Sequence, residues 1–354
     1  MIWRCHLNRV TLKDIAHEVG VSVMTVSNVV NGHTAHVSPR TAARVRDAIA
    51  VAGYVPNAVA RSLVAGSARL VGLVLPARSD DISLLVSPHD SAVAGSIEAA
   101  LRARDYHLIL RGATTSNELR DSVQRWALDG IILMGFTDDE LRALSLDGQV
   151  PTVVIDSGFD EGSPLWHVRS DDFNGGWLAA EHLTSLGHRQ LMFCGPVSRG
   201  SQVVSDRLAG FRAGATARGI EDQAVSVVDA NTTYEAGCVL GTTLAQRAGR
   251  PTGLFATADI LAVGLMHGLT LGGLEVPTAV SVVGYDDTEL ARFVAPRLTT
   301  IAQDTTRKGR AAADLLLGAV EGSSPPRSEE IGVTLVVRES TTRCRPPGSP
   351  LQAV

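Results

Sequence analysis

The stretch Val10-Thr11-Leu12-Lys13-Asp14-Ile15-Ala16, followed by Gly20-Val21-Ser22 and Thr25-Val26-Ser27, decides how the front of the chain is read. Thr11 with Asp14 three residues on is a capping-box-like T-x-x-D, and Leu12, Ile15, Ala16 and Val19 follow at helical spacing. Gly20 then stops the helix. Ser22 can cap a second helix from Val23, with Val26 and Val30 four apart on its inner face, ending near Asn31-Gly32. Two short helices joined by so tight a turn form a helix-turn-helix, whose second helix can lie in the major groove of DNA and offer side chains to base edges. Ser38-Pro39 opens a third helix, with proline at the first position where its missing N–H does no harm. Gly53 closes it. A fourth, shorter stretch runs from Asn57 to Ala65 and ends at Gly66.

Charge supports this division. Residues 1–66 hold seven basic side chains against three acidic ones, whereas the rest of the chain holds 25 against 34, within a net charge of −5. A cationic N-terminal piece on an acidic body is the footprint of a nucleic-acid-reading head, although an excess of this size also arises by chance.

From Ala68 onward, short Val/Ile/Leu runs alternate with amphipathic segments, the pattern of buried parallel strands joined by helices. Strands are expected at Leu70–Leu75, His107–Arg111, Gly130–Met134, Pro151–Ile155, Gln190–Cys194, Ala224–Val228, Gly253–Ala256 and Ser281–Gly284. Helices are expected over Ala92–Arg104, Asn174–Leu186, Arg207–Arg218 and Leu261–Leu271. A stretch this long exceeds a typical single domain, so two doubly wound α/β lobes are expected rather than one sheet. The tail from Arg343 is proline-rich, has no heptads and reads as disordered. Cys5, Cys194, Cys238 and Cys344 form no C-x-x-C pair, so neither a metal site nor a disulfide framework is expected. The leader Met1–Arg9 lacks the apolar stretch of a secretory signal, and no apolar run approaches the roughly 18 residues that span a bilayer. A cytoplasmic protein without membrane partners is expected.

The N-terminal string continues through Val29-Val30-Asn31-Gly32, Val37-Ser38 and Gly53-Tyr54-Val55-Pro56-Asn57. Further on come Leu186-Gly187-His188-Arg189, Arg207-Leu208-Ala209-Gly210-Phe211, Val280-Ser281-Val282-Val283-Gly284-Tyr285-Asp286-Asp287 and Leu298–Gln303. Together these resemble the lactose-repressor family of bacterial transcription regulators. The resemblance implies five parts. They are an N-terminal extension (1–9), a helix-turn-helix DNA-binding domain (10–55), a hinge helix (56–66), a ligand-binding and dimerisation body like a periplasmic binding protein (67–342), and a tail (343–354). The extension is either a start upstream of the true one or a short basic arm using Arg4 and Arg9.

In the family, positions corresponding to Val23, Met24 and Asn28 read bases. Asn28 can offer paired hydrogen bonds to adenine, whereas Val23 and Met24 can touch a thymine methyl or set steric fit; alternatively, Val23 belongs to the core stripe. Thr11, Ser22, Thr25, Ser27 and Asn31 read as caps or phosphate contacts. Asn57, Ala60 and Leu63 fall in the hinge helix, which is too short to be stable alone. Leu63 matches the leucine wedged into a minor-groove step, with ordinary packing as its alternative.

The resemblance also implies a small ligand, usually a sugar, held between the lobes by Asp156, Arg207, Asp259 and Asp286. Asp156 and Asp286 end strands, where ligands sit in open α/β sheets, and Arg207 opens a helix two residues after Ser205. Carboxylates and a guanidinium suit polyol hydroxyls, but they equally make salt bridges. Ala258 and Thr232 depart from the residues many relatives place against the ligand, and Ser79, Ser83 and Ser87 align loosely with the cleft.

No G-x-S-x-G, H-E-x-x-H, P-loop or G-x-G-x-x-G appears, so neither catalytic residues nor a cofactor are expected. Asp286 and Asp287 should point opposite ways on an extended segment. The expectation is a ligand-responsive, homodimeric repressor released from a palindromic operator by a sugar-like effector. The alternatives are a co-repressor-dependent nucleobase sensor and a sugar-binding or sugar-processing protein with an accessory helical head.

Overall fold

The computed structural model describes residues 10–54, 67–77, 84–85, 87–144, 150–158, 165–323 and 325–344. It divides into two compact units meeting between Arg69 and Leu70. The extension 1–9, the hinge segment 56–66 and the tail from 345 fall outside the described residues.

The head is built from local signals. Helix α1 (Leu12–Val19) starts at Thr11, which forms the full capping box with Asp14, and stops at Gly20, whose φ of 72° is the left-handed conformation glycine adopts without strain. Helix α2 (Val23–Val30) is capped by the Ser22 Oγ, which accepts from the Thr25 N–H at 3.1 Å. In α3 (Pro39–Ala52) Ser38 caps Thr41 in the same way, and Pro39 is in the first turn. Ile15, Val26 and Val45 are fully buried between the three helices, together with Val19, Val29 and Ala42. The inner face of α2 is therefore centred on Val26 and Val29; Val30, expected there, is half-buried at its margin.

The body contains two six-stranded sheets. The first is β1 (Leu70–Pro76), β2 (His107–Ala113), β3 (Gly130–Met134), β4 (Thr152–Ile155), β5 (Trp166–Ser170) and the late strand β11 (Ser328–Ile331), in the order β11-β5-β4-β3-β1-β2, all parallel. The second is β6 (Leu191–Gly195), β7 (Val225–Asp229), β8 (Gly253–Ala256), β9 (Ser281–Asp286), β10 (Thr299–Ala302) and β12 (Thr334–Val336), in the order β12-β10-β9-β8-β6-β7. Only β12 there is antiparallel. Every residue of β3, β6 and β9 is buried, as central strands covered on both faces require.

Helices α4 (Pro88–Arg102), α5 (Ser116–Trp126), α6 (Asp138–Leu144) and α12 (Thr305–Val320) cover the first sheet. Helices α7 (Asp172–Ser185), α8 (Gln202–Ala217), α9 (Tyr234–Ala245), α10 (Asp259–Leu271) and the short α11 (Glu289–Phe293) cover the second. The chain passes between the sheets at 170–172, at 302–305 and at 331–334. Two parallel-sheet lobes were expected, and the strand ends Asp156 and Asp286 lie where the pattern put them. The expectation for Arg207 needs correction. Helix α8 begins at Gln202, so Arg207 sits in its second turn and does not open it; the buried Val204, four and seven residues before Leu208 and Phe211, already belongs to its inner stripe.

Candidate functional site

The head presents α2 outward. Val23 is 41% exposed and Met24 70% exposed, and neither joins the buried cluster around Ile15, Val26 and Val45. The polar side chains divide into committed and uncommitted. Ser22 and Thr25 share a hydroxyl–hydroxyl hydrogen bond at 2.9 Å, and the Asn31 amide donates to Ser27 Oγ at 3.3 Å. Thr11 donates to the Asp14 carboxylate through both N–H and hydroxyl, and those bonds hold Asp14 below the usual carboxylate range. The half-buried Asn28 makes no hydrogen bond through its amide among the described residues. Asn57, Ala60 and Leu63 lie outside the described residues.

In the body, Asp156 and Asp286 become two ends of one buried polar chain. Asp156 follows β4 in a left-handed conformation, φ 57°, which turns its carboxylate toward α12. There the Lys308 ammonium, fully buried, donates to both of its oxygens at 2.7 and 2.8 Å. Burial alone would raise the pKa of Asp156, but Lys308, His89 and Arg207 more than offset it and hold the carboxyl below its ordinary value. Lys308 also donates to Gln303 Oε1 at 2.7 Å, as does Ser170 Oγ at 2.6 Å. The amide of Gln303 is thereby oriented, so its Nε2 donates across to Asp286 Oδ1 at 2.7 Å. Ser170 and Gln303 stand at the first two crossings between the lobes, so the chain Asp156–Lys308–Gln303–Asp286 joins the lobes beside those crossings.

His89, in the first turn of α4, faces the same cluster, with Nε2 3.5 Å from Lys308 Nζ and Nδ1 3.1 Å from Asp90. Burial and Lys308 oppose a charged imidazole, but Asp90, Asp286 and Asp156 prevail and raise its pKa. Ser87 is committed to capping α4; Ser79 and Ser83 lie outside the described residues.

Arg207 is held from the C-terminal lobe. Its Nε donates to Asp172 Oδ1 at 2.8 Å, its Nη1 to the Thr257 carbonyl at 2.7 Å, and its guanidinium lies 3.6 Å over the Tyr285 ring. The Tyr285 hydroxyl donates to the same Asp172 oxygen at 3.0 Å. Burial pushes Asp172 up despite Arg207, while Arg207 is driven well above its ordinary value by the carboxylates around it, against its own burial. The Thr257 hydroxyl beside this group is buried without a hydrogen-bond partner among the described residues.

Asp259 occupies a different setting. It is fully buried at the start of α10, accepting from Thr288 N at 2.7 Å and from the hydroxyls of Thr288 and Thr300 at 3.0 and 2.6 Å. Burial, reinforced by the Asp286 carboxylate, pushes its pKa up to about 8 against those hydrogen bonds. A carboxyl raised on folding adds stability that is complete below the unfolded value near 4 and is lost as pH rises through about 8. Asp259→Asn should therefore flatten the decline of the urea midpoint across that window; an unchanged slope would show that Asp259 is ionised throughout. The segment at Asp286 and Asp287 is not extended as expected, with φ of 118° and 57°, yet the two carboxylates have separate partners: Asp287 accepts from Arg338 at 2.5 Å and Arg292 at 3.3 Å, and Asp286 from Gln303.

The pattern reading missed Lys308, Gln303, Asp172, Tyr285 and His89 as site residues. For Lys308 a signal existed: it stands three, four and seven residues before Ala311, Ala312 and Leu315, on the buried stripe of α12.

Residues 11–57 match the family described as bacterial regulatory proteins, lacI family, and residues 180–341 match a periplasmic binding protein-like domain. The HTH-type transcriptional repressor PurR of Haemophilus influenzae (strain PittEE) is 31% identical over 341 residues, covering 93% of this chain and 98% of that protein. This chain belongs to the lacI family of bacterial regulatory proteins. The ribose operon repressor of Haemophilus influenzae (strain ATCC 51907) is 30% identical over 339 residues, 93% of this chain and 98% of that repressor. Among solved structures, the lac repressor dimer bound to operator and the anti-inducer ONPF superposes with a TM-score of 0.82 at 28% identity, covering 94% of this chain and 99% of that one. The transcriptional regulator CelR–cellobiose complex gives 0.69 at 30% identity, with 94% and 100% covered. This lacI-family member is thus a ligand-responsive, DNA-binding transcriptional repressor and not an enzyme, with the helical head on a two-lobed effector-binding body. No helix among the described residues is long and apolar enough to cross a membrane.

Proposed function

We propose that this repressor works in the cytoplasm as a homodimer, gripping a two-fold-symmetric operator, and is released from it by a small, neutral, sugar-like effector taken up between the lobes. The observation that carries the reading is the polar chain Asp156–Lys308–Gln303–Asp286, flanked by Arg207, at the crossings between the lobes. Asp156 is matched by Lys308 and Asp172 by Arg207, and Asp286 is held by the Gln303 amide, so a neutral ligand enters without adding an unpaired charge. Asp156 and Asp286 keep lone pairs for ligand hydroxyls, Arg207 and the Thr257 hydroxyl, unpartnered among the described residues, supply donors, and Asp259 ties Thr288, just after β9, to Thr300 of β10. Effector contacts shared by both lobes favour one lobe arrangement, and operator affinity changes by the difference in effector binding between the two. With two heads per dimer, one small helix-turn-helix suffices for each half-site.

Relatives and neighbours include proteins named for purines, ribose and cellobiose. A sugar is favoured because Tyr285, the ring packed into this cluster among the described residues, is fully buried and covered by Arg207, and so offers a purine no face to stack on. The test is a thermal-shift screen of the full chain against monosaccharides, disaccharides and purine bases, followed by gel shifts on a selected operator. A sugar should raise the melting temperature, since ligand at 100 times its Kd adds about 2.7 kcal/mol, and should weaken operator binding. Stabilisation by a purine base that tightens operator binding would replace this reading with co-repression.

A further inference from the structure

Helix α2 reads Val-Met-Thr-Val-Ser-Asn-Val-Val and contains no charged side chain. Guanine is read in the major groove by Arg or Lys, which donate to its O6 and N7; α2 has neither. What it exposes is apolar surface at Val23 and Met24, followed one turn later by Asn28. The other polar side chains of α2 are engaged within the head, Thr25 with Ser22 and Ser27 with Asn31. Asn28 has both an amide donor and a carbonyl acceptor to give, the pair that matches adenine N7 and N6–H2 and no other base edge in that groove.

We infer that Asn28 reads one adenine in each half of the operator and that Val23 and Met24 pack on neighbouring thymine methyls, so the segment under α2 is A·T. This rests on the reading that α2 enters the major groove, which the cationic balance of the head and the family membership support. The grip on phosphates then comes from residues off α2, so salt dependence and sequence choice are carried by different side chains.

The experiment is selection of the purified full chain on a pool of random duplexes at about 150 mM salt. It is followed by binding measurements on the winning site for the wild type, Asn28→Ala, Asn28→Gln and Asn28→Arg. The selected site should be two-fold symmetric, with one A·T pair per half-site whose preference Asn28→Ala relaxes by roughly 10- to 100-fold while other positions hold. Asn28→Gln, which keeps the amide, should retain adenine, and Asn28→Arg should turn the preference to guanine. Replacing that adenine with 7-deazaadenine, which lacks the N7 acceptor, should weaken the wild type and leave Asn28→Ala unaffected. Equal melting temperatures for all variants exclude misfolding as the cause. A G·C pair at the position relaxed by Asn28→Ala, or no relaxed position at all, overturns the inference while leaving the repressor reading intact. Failure to enrich any duplex overturns both.

Discussion

Replacing Lys308 with methionine is expected to lower the stability of the body by about 3–5 kcal/mol, because it leaves the Asp156 carboxylate buried without its cation. Methionine fills most of the lysine stem, so the loss reports the ion pair and not a cavity. Asp156 lies below its ordinary pKa in the folded wild type, so its contribution is complete above the unfolded value near 4 and fades as pH falls through the lower folded value. The deficit of Lys308→Met relative to wild type should therefore be full at pH 7 and shrink as pH falls below about 4 toward the lowered folded value of Asp156 in the wild type. The double variant Asp156→Asn/Lys308→Met should recover much of the loss, since the members of one pair do not act additively. Urea unfolding at pH 7 and pH 3.5 measures all of this. Equal midpoints for wild type and Lys308→Met at pH 7 would mean that the pair contributes nothing.

Gly176→Ala is expected to act comparably, by geometry instead of charge. Helices α7 and α8 pack backbone on backbone: a methyl on Gly176 would lie 2.0 Å from the Arg207 carbonyl, and one on Gly210 1.8 Å from that of Phe173. Backbone cannot rotate aside as a side chain can, so α8 must move, at a destabilisation of about 3 kcal/mol. The displaced residue is Arg207 itself, whose 2.8 Å bond to Asp172 spans the same seam. Effector-induced thermal shift should accordingly collapse in the variant even at temperatures where the body stays folded. A normal shift with a lowered midpoint would separate packing from the site and remove Arg207 from it.

How much of this was legible follows from where the determining forces reside. The head could be read almost residue by residue because Thr11, Gly20, Ser22, Ser38-Pro39 and Gly53 start and stop helices through bonds to their own neighbours. Strands β3 and β8 were bounded correctly because a parallel strand covered on both faces is an unbroken apolar run. Strands β5, Trp-His-Val-Arg-Ser, and β11, Ser-Glu-Glu-Ile, carry no such run; their pairing is decided by the sheet they join. The same holds at the site. Asp156 and Asp286 were placed because strand ends are visible, whereas Lys308 was overlooked because a charge argues for solvent until its carboxylate, 152 positions earlier, is known.

The late crossings set a schedule for the ribosome. The first sheet is finished by β11, and its core is filled by Leu315 and Leu316 of α12, all made after every helix of the second lobe. The first lobe therefore cannot mature until almost all of the second has been synthesised, and a gene cut at the first crossing yields an N-terminal fragment without α12 and β11, a covering helix and the edge strand of its sheet. For such a chain, exchanging one half with a relative means transplanting two separate pieces of sequence together.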